Sequence, residues 1–421
     1  MLDLFIVFVL QSSTCNMPKF PYNLSSEDSS FMISMNNKGL QNYAKCIVQQ
    51  FPNKMINTDI DSQEYDLQIE DLYVDFTISH FKFMKFEANP YVDIKSKRIT
   101  ASNTNITLQI SWHLRELNHY PYTTDSGTGE IVISNSSLSI DGISFNPDDE
   151  CKGNMQTTFS NVNINTNQLN FSISGGKSLI FKLYYNDILK QVNEILLDKI
   201  SEIMDNSIYK YTLFISNTQQ NFVYYPNFPE MLKDDRFTAN LFDELNQLIV
   251  MKSGYTFNMQ NISDQFINQK MLQPLPIYRN QKQIEYTVSR AALNNYLYSF
   301  HKYNDTYSNP LLFSVLEAPT VDFFYDNIIM NLKIQRQGIV EEIQLTGIPL
   351  LRNEKEITYL LFQFQIDTEK NTEIVNWINT QLQEASYLIQ NTIFSLIGFS
   401  IRIDEENDCV RVIGDITECF N

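Results

Sequence analysis

The chain has 421 residues, of which 43% are hydrophobic and 19% are charged, and its formal net charge is −18 at pH 7. This composition excludes an intrinsically disordered protein and suits one large or two medium globular units. There are 16 basic against 24 acidic residues up to Thr218, and 15 against 25 after it, so both halves are acidic. Such a surface repels phosphate backbones, and nucleic acid is therefore not an expected partner.

The N-terminus has the features of a secretory signal peptide. An apolar run from Leu2 to Leu10 is interrupted only by Asp3, and small polar residues follow up to Cys15. This pattern predicts a signal peptide over residues 1–15, although Lys and Arg are missing from its start; a buried first strand is the alternative. No later apolar run reaches the ~20 residues of a membrane-spanning helix. We therefore expect a soluble protein that is secreted or resides in the secretory-pathway lumen.

Two further features are consistent with that route. The glycosylation sequence Asn-x-Ser/Thr occurs at Asn23, Asn105, Asn135, Asn170, Asn261 and Asn304. Besides Cys15, the cysteines are Cys46, Cys151, Cys409 and Cys419. Four cysteines allow two disulfides in three connectivities, and their spacing is not that of a zinc site.

The first half begins with a helix followed by several strands. An extended segment at Phe31–Met35 leads into a helix from about Asn36, which Pro52 should end. Alternating apolar and polar residues then predict an antiparallel sheet with one apolar face, and a slip of the pattern near His80 indicates a β-bulge. The predicted strands begin at Leu72 and Ile106 and continue at Ile131–Ile140, Ile143–Phe145, Met155–Phe159 and Val162–Ile164.

A strand at Leu169–Ile173, a break at Gly175-Gly176 and a long helix over Leu183–Asn206 complete this half. Apolar residues recur in the helix at three- and four-residue spacing and give one continuous stripe: Ile188, Val192, Ile195, Leu196, Ile200 and Ile203. At ~1.5 Å per residue the helix would be about 35 Å long. The stripe therefore requires a long apolar surface beneath it.

The second half is predicted to repeat this order without residue-by-residue identity. Residues Gln219–Asp235, which include Pro226 and Pro229, are predicted to be a linker. Helices are expected from about Thr238 to Gly254, at Arg290–Phe300 and at Thr372–Ile397. The predicted strands are Tyr255–Met259, Ile284–Val288, Leu311–Leu316, Val321–Phe324, Ile328–Ile334, Val340–Leu345, Tyr359–Ile366, Phe399–Ile403 and Val410–Ile413.

The head of the first helix, with Ile33-Ser34, Lys38-Gly39-Leu40 and Tyr43-Ala44, resembles the bactericidal/permeability-increasing protein family. That family includes lipopolysaccharide-binding protein and the plasma lipid-transfer proteins. The order of strands, Cys151, further strands and a long helix resembles it too, as does the helix expected from Thr238. The resemblance covers nearly the whole chain after residue 15, and it rests on order and pattern.

The resemblance implies an α+β fold of two tubular domains arranged as a boomerang. Each domain would be a highly twisted antiparallel sheet wrapped around a long amphipathic helix, with an apolar groove for lipid acyl chains. The implied domains are an N-terminal lipid-binding barrel at 16–218, a linker and central region at 219–235, and a C-terminal barrel at 236–421. Pro274 and Pro276 interrupt the strand pattern of the C-terminal barrel, which could therefore be reduced.

In the family a cysteine matching Cys151 is commonly bonded to one on the long helix, but Leu183–Asn206 contains no cysteine. Either Cys151 bonds to Cys46 or that bridge is lost. The pairing we expect is Cys46–Cys151 with Cys409–Cys419.

The predicted function is that of a lipid-binding or lipid-transfer protein, with a phospholipid or other acyl lipid as ligand and transient contact with a membrane surface. An acyl chain gains ~0.8 kcal/mol per buried CH₂, so a dry tube needs no cofactor and no metal. Each candidate lining residue also suits ordinary core packing, and only the collective excess of apolar surface argues for a ligand. The candidates are Leu40, Tyr43 and Ile47 on the first helix, Val74, Phe76, Leu108, Ile110 and Trp112 on the sheet, and Val192, Ile195 and Ile200 on the long helix.

Enzymatic activity is not expected. The histidines His80, His113, His119 and His301 belong to no recognisable ligand or triad motif, and nucleophile-elbow, P-loop and dinucleotide motifs are absent from the sequence. Asp148-Asp149-Glu150 lacks the spacing of a calcium loop and suits a solvated turn. Two alternatives remain: a lipopolysaccharide-binding defence protein, which is disfavoured because phosphate recognition draws on Arg and Lys, and a secreted structural or adhesion protein with closed cores.

Overall fold

The computed structural model describes residues 29–55, 62–70, 72–118, 122–147, 153–166, 168–177, 179–217, 221–243, 247–258, 272–275, 277, 281–354, 357–365, 371–391 and 394–419. The predicted signal peptide, His119, Asp148-Asp149-Glu150, Cys151 and the glycosylation sequences at Asn23 and Asn261 lie outside these residues.

The described elements up to residue 217 are, in chain order, β1 Phe31–Asn36, α1 Asn37–Met55, β2 Gln63–Ile69, β3 Leu72–Asp93, β4 Arg98–Glu116, β5 Thr124–Asp141, β6 Ser144–Pro147, β7 Met155–Thr158, β8 Asn161–Asn165, β9 Leu169–Ser174 and α2 Leu179–Asn217. The later elements are β10 Phe222–Tyr225, β11 Phe228–Asp234, β12 Phe237–Asp243, β13 Gln247–Lys252, β14 Thr256–Asn258, β15 Ile284–Ser289, α3 Arg290–Asn304, β16 Ser314–Val315, β17 Thr320–Phe324, β18 Asn327–Arg336, β19 Ile339–Glu354, β20 Ile357–Phe364, α4 Thr372–Glu384, β21 Tyr387–Asn391, β22 Phe394–Asp404 and β23 Cys409–Cys419.

The chain divides into two compact units. Residues 40–145 and 157–215 form the first, which we call the N-unit; residues up to 39, 146–156 and 216–420 form the second, the C-unit. Strand β1 belongs to the C-unit because it pairs with β13 on one side and β15 on the other. The C-unit therefore begins with a strand from the N-terminal end of the chain, which sequence order alone did not indicate.

The N-unit is built on one antiparallel sheet with the order β2-β3-β4-β5-β8, and β9 also pairs with β5. Its three central strands are long, with 22, 19 and 18 residues. Buried and exposed residues alternate along them, as the sequence predicts for a sheet with one apolar face. The helix predicted over Leu183–Asn206 is confirmed as part of α2, which has non-helical backbone angles at Tyr184.

β-bulges bend these long strands. His80 in β3, Asn103 in β4 and Asn135 in β5 each have φ of 52°, in the left-handed region. Strand register shifts at each of these positions, where one strand carries an extra residue. A bulge bends its strand and increases the local twist, so three bulges in neighbouring strands curl the sheet. The bulge predicted at His80 is confirmed.

The C-unit contains three antiparallel sheets and two helices among its described residues. Strands β12-β13-β1-β15-β23-β22 form the first sheet, β10-β11-β14 the second, and β16-β18-β19-β20-β21 the third, with β17 also paired to β18. Helix α3 confirms the helix predicted at Arg290–Phe300; Ser289 caps it by accepting the Ala292 N–H at 3.0 Å.

The helix predicted from Thr238 is wrong, because this segment is the hairpin β12–β13. Leu241 pairs with Ile249 and Phe242 with Leu248 in its antiparallel register. The apolar spacing that suggested a helix comes from two strands that pair with each other. β13 is a central strand buried on both faces, and such a strand loses the period-two alternation that identifies strands in a sequence.

The long helix predicted over Thr372–Ile397 is also wrong beyond its first half. Helix α4 ends at Glu384, and the chain continues as β21 and β22. The Ser386 hydroxyl donates to the Leu382 carbonyl at 2.9 Å, which satisfies an acceptor of the last helical turn. The apolar residues after it are buried on both sides of a strand, so a continuous apolar run was mistaken for a helical stripe.

Three smaller expectations also fail. The predicted linker Gln219–Asp235 contains the hairpin β10–β11. Pro52 lies inside α1 and does not end it, because the helix continues for three further residues to Met55. Of the strand predicted at Leu311–Leu316, only Ser314–Val315 is a strand.

The expected Cys409–Cys419 disulfide is wrong. Cys409 is a buried free thiol, whereas Cys46 and Cys419 each take part in a disulfide. Cys409 and Cys419 are the two ends of β23, so an extended backbone at ~3.3 Å per residue holds them about 30 Å apart. A disulfide needs Cα atoms within about 7 Å.

Candidate functional site

Helix α2 lies against the concave apolar face of the N-unit sheet. Its buried residues recur at three- and four-residue spacing and form one stripe: Ile188, Val192, Leu196, Ile200, Ile203, Met204, Ile208 and Tyr211. They belong to one hydrophobic cluster together with the inward-facing residues of β2, β3, β4, β5, β8 and β9. The long apolar surface that the stripe requires is therefore the inner face of this sheet.

Side chains of α2 form hydrogen bonds with β2 and β8, the strands at the two edges of the sheet. On the β2 edge, the Gln191 side chain donates to the Gln68 carbonyl at 2.6 Å. On the β8 edge, the Ser201 hydroxyl accepts the Ile164 N–H at 3.3 Å and donates to the Ile164 carbonyl at 3.4 Å. Since β2 and β8 stand at opposite ends of the strand order, the sheet must curl around the helix, and α2 closes the gap between its edges.

An aromatic stack fills the interior at the start of α2. The Trp112 ring lies between Phe181, at 4.9 Å between ring centroids, and Phe76, at 5.9 Å. The Trp112 Nε1–H donates to the carbonyls of Thr128 and Ser174, each at 3.1 Å. Gly127 makes this possible, because a Cβ at that position would collide with the Ser174 carbonyl and crowd the indole nitrogen.

A second aromatic group joins the two helices of the unit. Phe51 of α1 contacts Phe83 and Phe86 of β3, with centroids 5.0 and 4.8 Å away, and Tyr211 of α2 at 4.7 Å. Tyr211 is buried, and burial raises the pKa of its hydroxyl, so this end of the interior carries no charge near neutral pH.

Hydrophobic side chains make up nearly all of the interior, and the buried Glu116 lies at the end of β4 on the same side of the strand as Trp112 and Leu114. The cluster contains aliphatic and aromatic residues only, without Asp, Glu, Lys, Arg or His among its described members. Burial, followed by the charge of Glu202, raises the pKa of Tyr65, one of the buried tyrosines of the cluster, to about 12. Away from Glu116, an apolar ligand in this interior would contact hydrocarbon surface and would leave no buried charge without a partner.

The eleven predicted lining residues occupy different depths. Seven are almost fully buried members of the cluster: Val74, Phe76, Leu108, Ile110, Trp112, Val192 and Ile200. Ile47 and Ile195 pack against the cluster but stay partly accessible, and Tyr43 is half-buried. Leu40 is buried outside the cluster. A residue that lines an open cavity keeps accessible surface, so other side chains cover the seven deep residues in this conformation.

Accessible apolar surface lies at the rim of the cluster, and sequence reasoning missed most of it. The further partly buried members are Val48, Ala88, Ile140, Phe159, Tyr184, Tyr185 and Leu189. A periodicity pattern identifies the centre of an apolar face, whereas a rim position depends on where the opposing sheet ends. The signal in the sequence was weak: Leu189 follows Ile188 of the predicted stripe by one position, whereas Ala88 and Ile140 lie on strands.

The C-unit has a separate pocket of about 440 Å³, lined by Ile348, Gln363, Phe364, Gln365, Asn376 and Asn379. The Asn379 amide accepts the Phe364 N–H and donates to the Phe364 carbonyl, each at 2.9 Å, in the manner of a neighbouring strand. Four of the six lining side chains are carboxamides, and none is a predicted lining residue. This pocket is chemically unlike the apolar interior of the N-unit.

Within the described residues, no group of three or more His, Cys, Asp or Glu side chains is placed to hold a metal ion. In the same part of the chain, none of the helices is both long and apolar enough to cross a membrane.

No family model and no curated protein sequence matches this chain. Among solved structures, the crystal structure of lipopolysaccharide binding protein is similar over 93% of this chain and 100% of that one, with a TM-score of 0.50 and 13% identity. The chain therefore shares the fold of that protein. Takeout 1 from Epiphyas postvittana is similar over 41% of this chain and 88% of its own, with a TM-score of 0.26 and 12% identity. P47 from Clostridium botulinum A2 is similar over 93% and 98%, with a TM-score of 0.27 and 8% identity. Only the first likeness is close enough to indicate a common fold, and at that identity it indicates the fold alone.

Proposed function

We propose that this chain is a secreted lipid-binding or lipid-transfer protein that holds phospholipid acyl chains against the apolar interior of the N-unit. The observation that carries the proposal is the closure of a curled, inwardly apolar sheet by α2, in a fold shared with a protein that is named for binding a lipid. The interior is long and is lined mainly by aliphatic and aromatic side chains. Its chemistry suits a hydrocarbon chain and offers nothing that a polar substrate requires.

The rim of the cluster is where an acyl chain would first contact the interior. Ile47 on α1 and Ile195 on α2 already have accessible apolar surface there. Each CH₂ that leaves water contributes ~0.8 kcal/mol, so a chain of a dozen carbons gains roughly 10 kcal/mol before the cost of moving side chains aside. The deep residues would become lining residues when that chain enters between helix and sheet.

The test combines bound-lipid analysis with two matched variants of α2. Native mass spectrometry and lipid extraction of the secreted protein should find co-purified phospholipid. Ile195→Gln should weaken uptake of a fluorescent phospholipid roughly tenfold, because a polar group replaces an apolar one at the rim. Leu197→Gln, two residues away on the exposed side of the same helix, should leave uptake unchanged. Ile195→Trp, which stays apolar but fills space, should also reduce uptake.

The rival is a structural or adhesion protein with closed cores. It is favoured by one observation, the near-complete burial of the seven deep residues. Purified protein without bound lipid, together with no uptake of the fluorescent phospholipid by the wild type, would establish the rival and exclude our proposal.

Recognition of lipopolysaccharide is the finer alternative within the lipid-binding class. The net charge of −18 opposes it, since lipopolysaccharide and phosphatidylserine are anionic. Strong binding of either at physiological salt would favour this alternative over neutral phospholipid.

Passage through the secretory pathway is part of the proposal. Cys46 and Cys419 are disulfide-bonded, which suits an oxidising compartment. Among the glycosylation sequences, Asn135 on β5 and Asn170 on β9 have exposed side chains. A mass decrease on enzymatic removal of N-glycans from the secreted protein would support this route, whereas an unglycosylated protein recovered only from the cytosol would contradict it.

A further inference from the structure

One end of the third C-unit sheet carries a group of exposed aliphatic side chains, Leu311, Leu312, Ile339 and Val340, which we call the aliphatic tip. Leu311 is 92% exposed, Ile339 62% and Val340 52%. A single exposed leucine is ordinary on a protein surface, but a group of large aliphatic side chains at one place marks an interaction site.

Strand register places these residues at the same end of the sheet. β18 runs to Arg336, the chain turns at residues 337–338, and β19 starts with Ile339 and Val340; Val340 pairs with Gln335. On its other side, Gln335 pairs with Ser314 of the antiparallel β16. Leu311 and Leu312 precede Ser314 and therefore lie beyond the sheet at the end where the β18–β19 turn lies.

Both segments of the tip have a defined backbone that holds the side chains outward. Gln337 and Gly338 have φ of 51° and 80°, as a tight two-residue hairpin turn requires, and a Cβ on Gly338 would meet nothing within 4 Å. In the other segment, the Asn309 side chain accepts the Leu311 N–H at 3.0 Å. The Asn309 carbonyl also accepts the N–H groups of Leu312 and of the buried Phe313. Leu311 thus projects from a hydrogen-bonded, anchored loop.

The charges around the tip exclude an electrostatic mode of binding to anions. Residues 309–342 contain two basic residues, Lys333 and Arg336, against five acidic ones. Lys333 pairs with Glu317 at 2.5 Å and Arg336 with Glu373 at 3.5 Å, so both cations are already engaged. A net acidic surface with paired cations repels anionic lipid headgroups, while aliphatic side chains gain free energy at any hydrocarbon interface.

We propose that the aliphatic tip inserts into the surface of a zwitterionic phospholipid membrane. The proposal rests on the proposed lipid-binding function, because a protein that carries phospholipid must meet the membranes that supply and receive it. Docking of this kind depends on buried apolar area, and it gains nothing from anionic lipid. The tip therefore defines a membrane-contact site in the C-unit that is separate from the acyl-chain site proposed in the N-unit.

The test is co-sedimentation of the full secreted chain with sucrose-loaded phosphatidylcholine vesicles. The wild type should bind, and binding should persist between about 0.1 M and about 1 M salt, over which the Debye length falls from ~10 to ~3 Å. The double variant Leu311→Ser, Ile339→Ser should bind at least roughly tenfold more weakly, because two apolar side chains no longer enter the interface. Adding phosphatidylserine to the vesicles should not strengthen wild-type binding.

A matched control is present at the other end of the same sheet. Phe324 and Tyr325 in the β17–β18 turn are 57% and 72% exposed, beside the acidic Asp322 and Asp326. The double variant Phe324→Ser, Tyr325→Ser should bind vesicles as the wild type does. All four substituted positions are exposed, so far-UV circular dichroism should show unchanged folds.

Four results would overturn the docking proposal: no wild-type binding to phosphatidylcholine, equal losses in both double variants, salt-sensitive binding that requires phosphatidylserine, or a wild-type dimer that only the Leu311→Ser, Ile339→Ser variant dissociates. The last would show that a second copy covers the tip. Lipid extraction from the same preparations separates the two proposals. Protein that contains lipid but does not bind vesicles contradicts only the docking site, and protein that neither contains lipid nor takes up the fluorescent phospholipid contradicts the proposed function.

Discussion

Replacing Trp112 with phenylalanine should destabilise the N-unit more than the same replacement at Trp377, the other tryptophan of the chain, affects the C-unit. Trp112 is sandwiched between Phe76 and Phe181 and donates its indole N–H to two carbonyls. Trp377 is half-buried, and its Nε1 has no hydrogen-bond partner. The two substitutions remove the same atoms from sites that differ in hydrogen bonding and packing.

The magnitude follows from what each site loses. At Trp112 the lost N–H bonds to the carbonyls of Thr128 and Ser174 contribute about 1 kcal/mol. The smaller ring leaves a cavity of roughly 40 Å³, which costs about 1 kcal/mol at ~24 cal/mol per Å³. Together with weaker stacking, the total is about 2–3 kcal/mol. At Trp377 the substitution removes a buried N–H that has no partner, so the loss should be below about 1 kcal/mol.

Urea unfolding followed by far-UV circular dichroism gives the two free-energy changes, and hydrogen exchange localises them. Faster exchange is expected in β4 for Trp112→Phe and, to a smaller extent, in α4 for Trp377→Phe. Equal destabilisation by the two variants, or unchanged protection of β4, would refute the inference that the Trp112 stack organises this end of the N-unit interior.

Three other consequences can be measured directly. Asp235 is largely buried and forms salt bridges with Lys233 and Lys252. Burial raises the pKa of Asp235, but the two lysines outweigh this effect and hold that pKa well below its usual range. The stability that the Asp235 carboxylate contributes is therefore present above about pH 4 and is lost as the pH falls further. Asp235→Asn should therefore cost about 3–5 kcal/mol at pH 7, with the difference from wild type shrinking in urea titrations below about pH 4; a constant difference would contradict this. His80→Gly should be neutral or stabilise the protein by up to about 1 kcal/mol, whereas His80→Val should destabilise it by about 1–2 kcal/mol, because valine tolerates a φ of 52° poorly. Equal melting temperatures for the two variants would argue against backbone strain at this bulge. Burial raises the pKa of the Cys409 thiol to about 12, so an aromatic disulfide reagent at pH 8 should modify it only after unfolding, and rapid reaction of the native protein would show that the thiol is accessible.

The sequence predicted local structure well where one face of an element is buried and the other is exposed. The N-unit strands alternate in burial as their residues alternate in polarity, and α2 carries the stripe that its spacing indicates. Prediction failed where a segment is apolar on all sides. β13 and β21 were read as helix because a strand buried on both faces leaves no alternation to recognise, and the apolar residues of the edge strand β12 extended the same pattern.

The candidate site shows the same division. The predicted lining residues of the sheet and of α2 do come together in one cluster, because they are inward-facing by pattern. The rim residues with accessible surface, such as Tyr184 and Leu189, were missed because their exposure depends on where the opposing sheet ends. The exposed Leu311 was predicted within a strand, whereas the structure places it in a loop that projects from the sheet.

By itself, the sequence determined an acidic chain with long amphipathic strands and a helix whose stripe needed an apolar partner. Only the tertiary structure decided that both edges of one sheet meet that helix, that β1 joins a sheet of the C-unit, and that Cys409 is free while Cys419 is bonded. The physical reason is that periodicity reports how a residue is oriented within its own element. Which element covers it is set by strand pairing, bulges and turns that connect residues far apart in the chain.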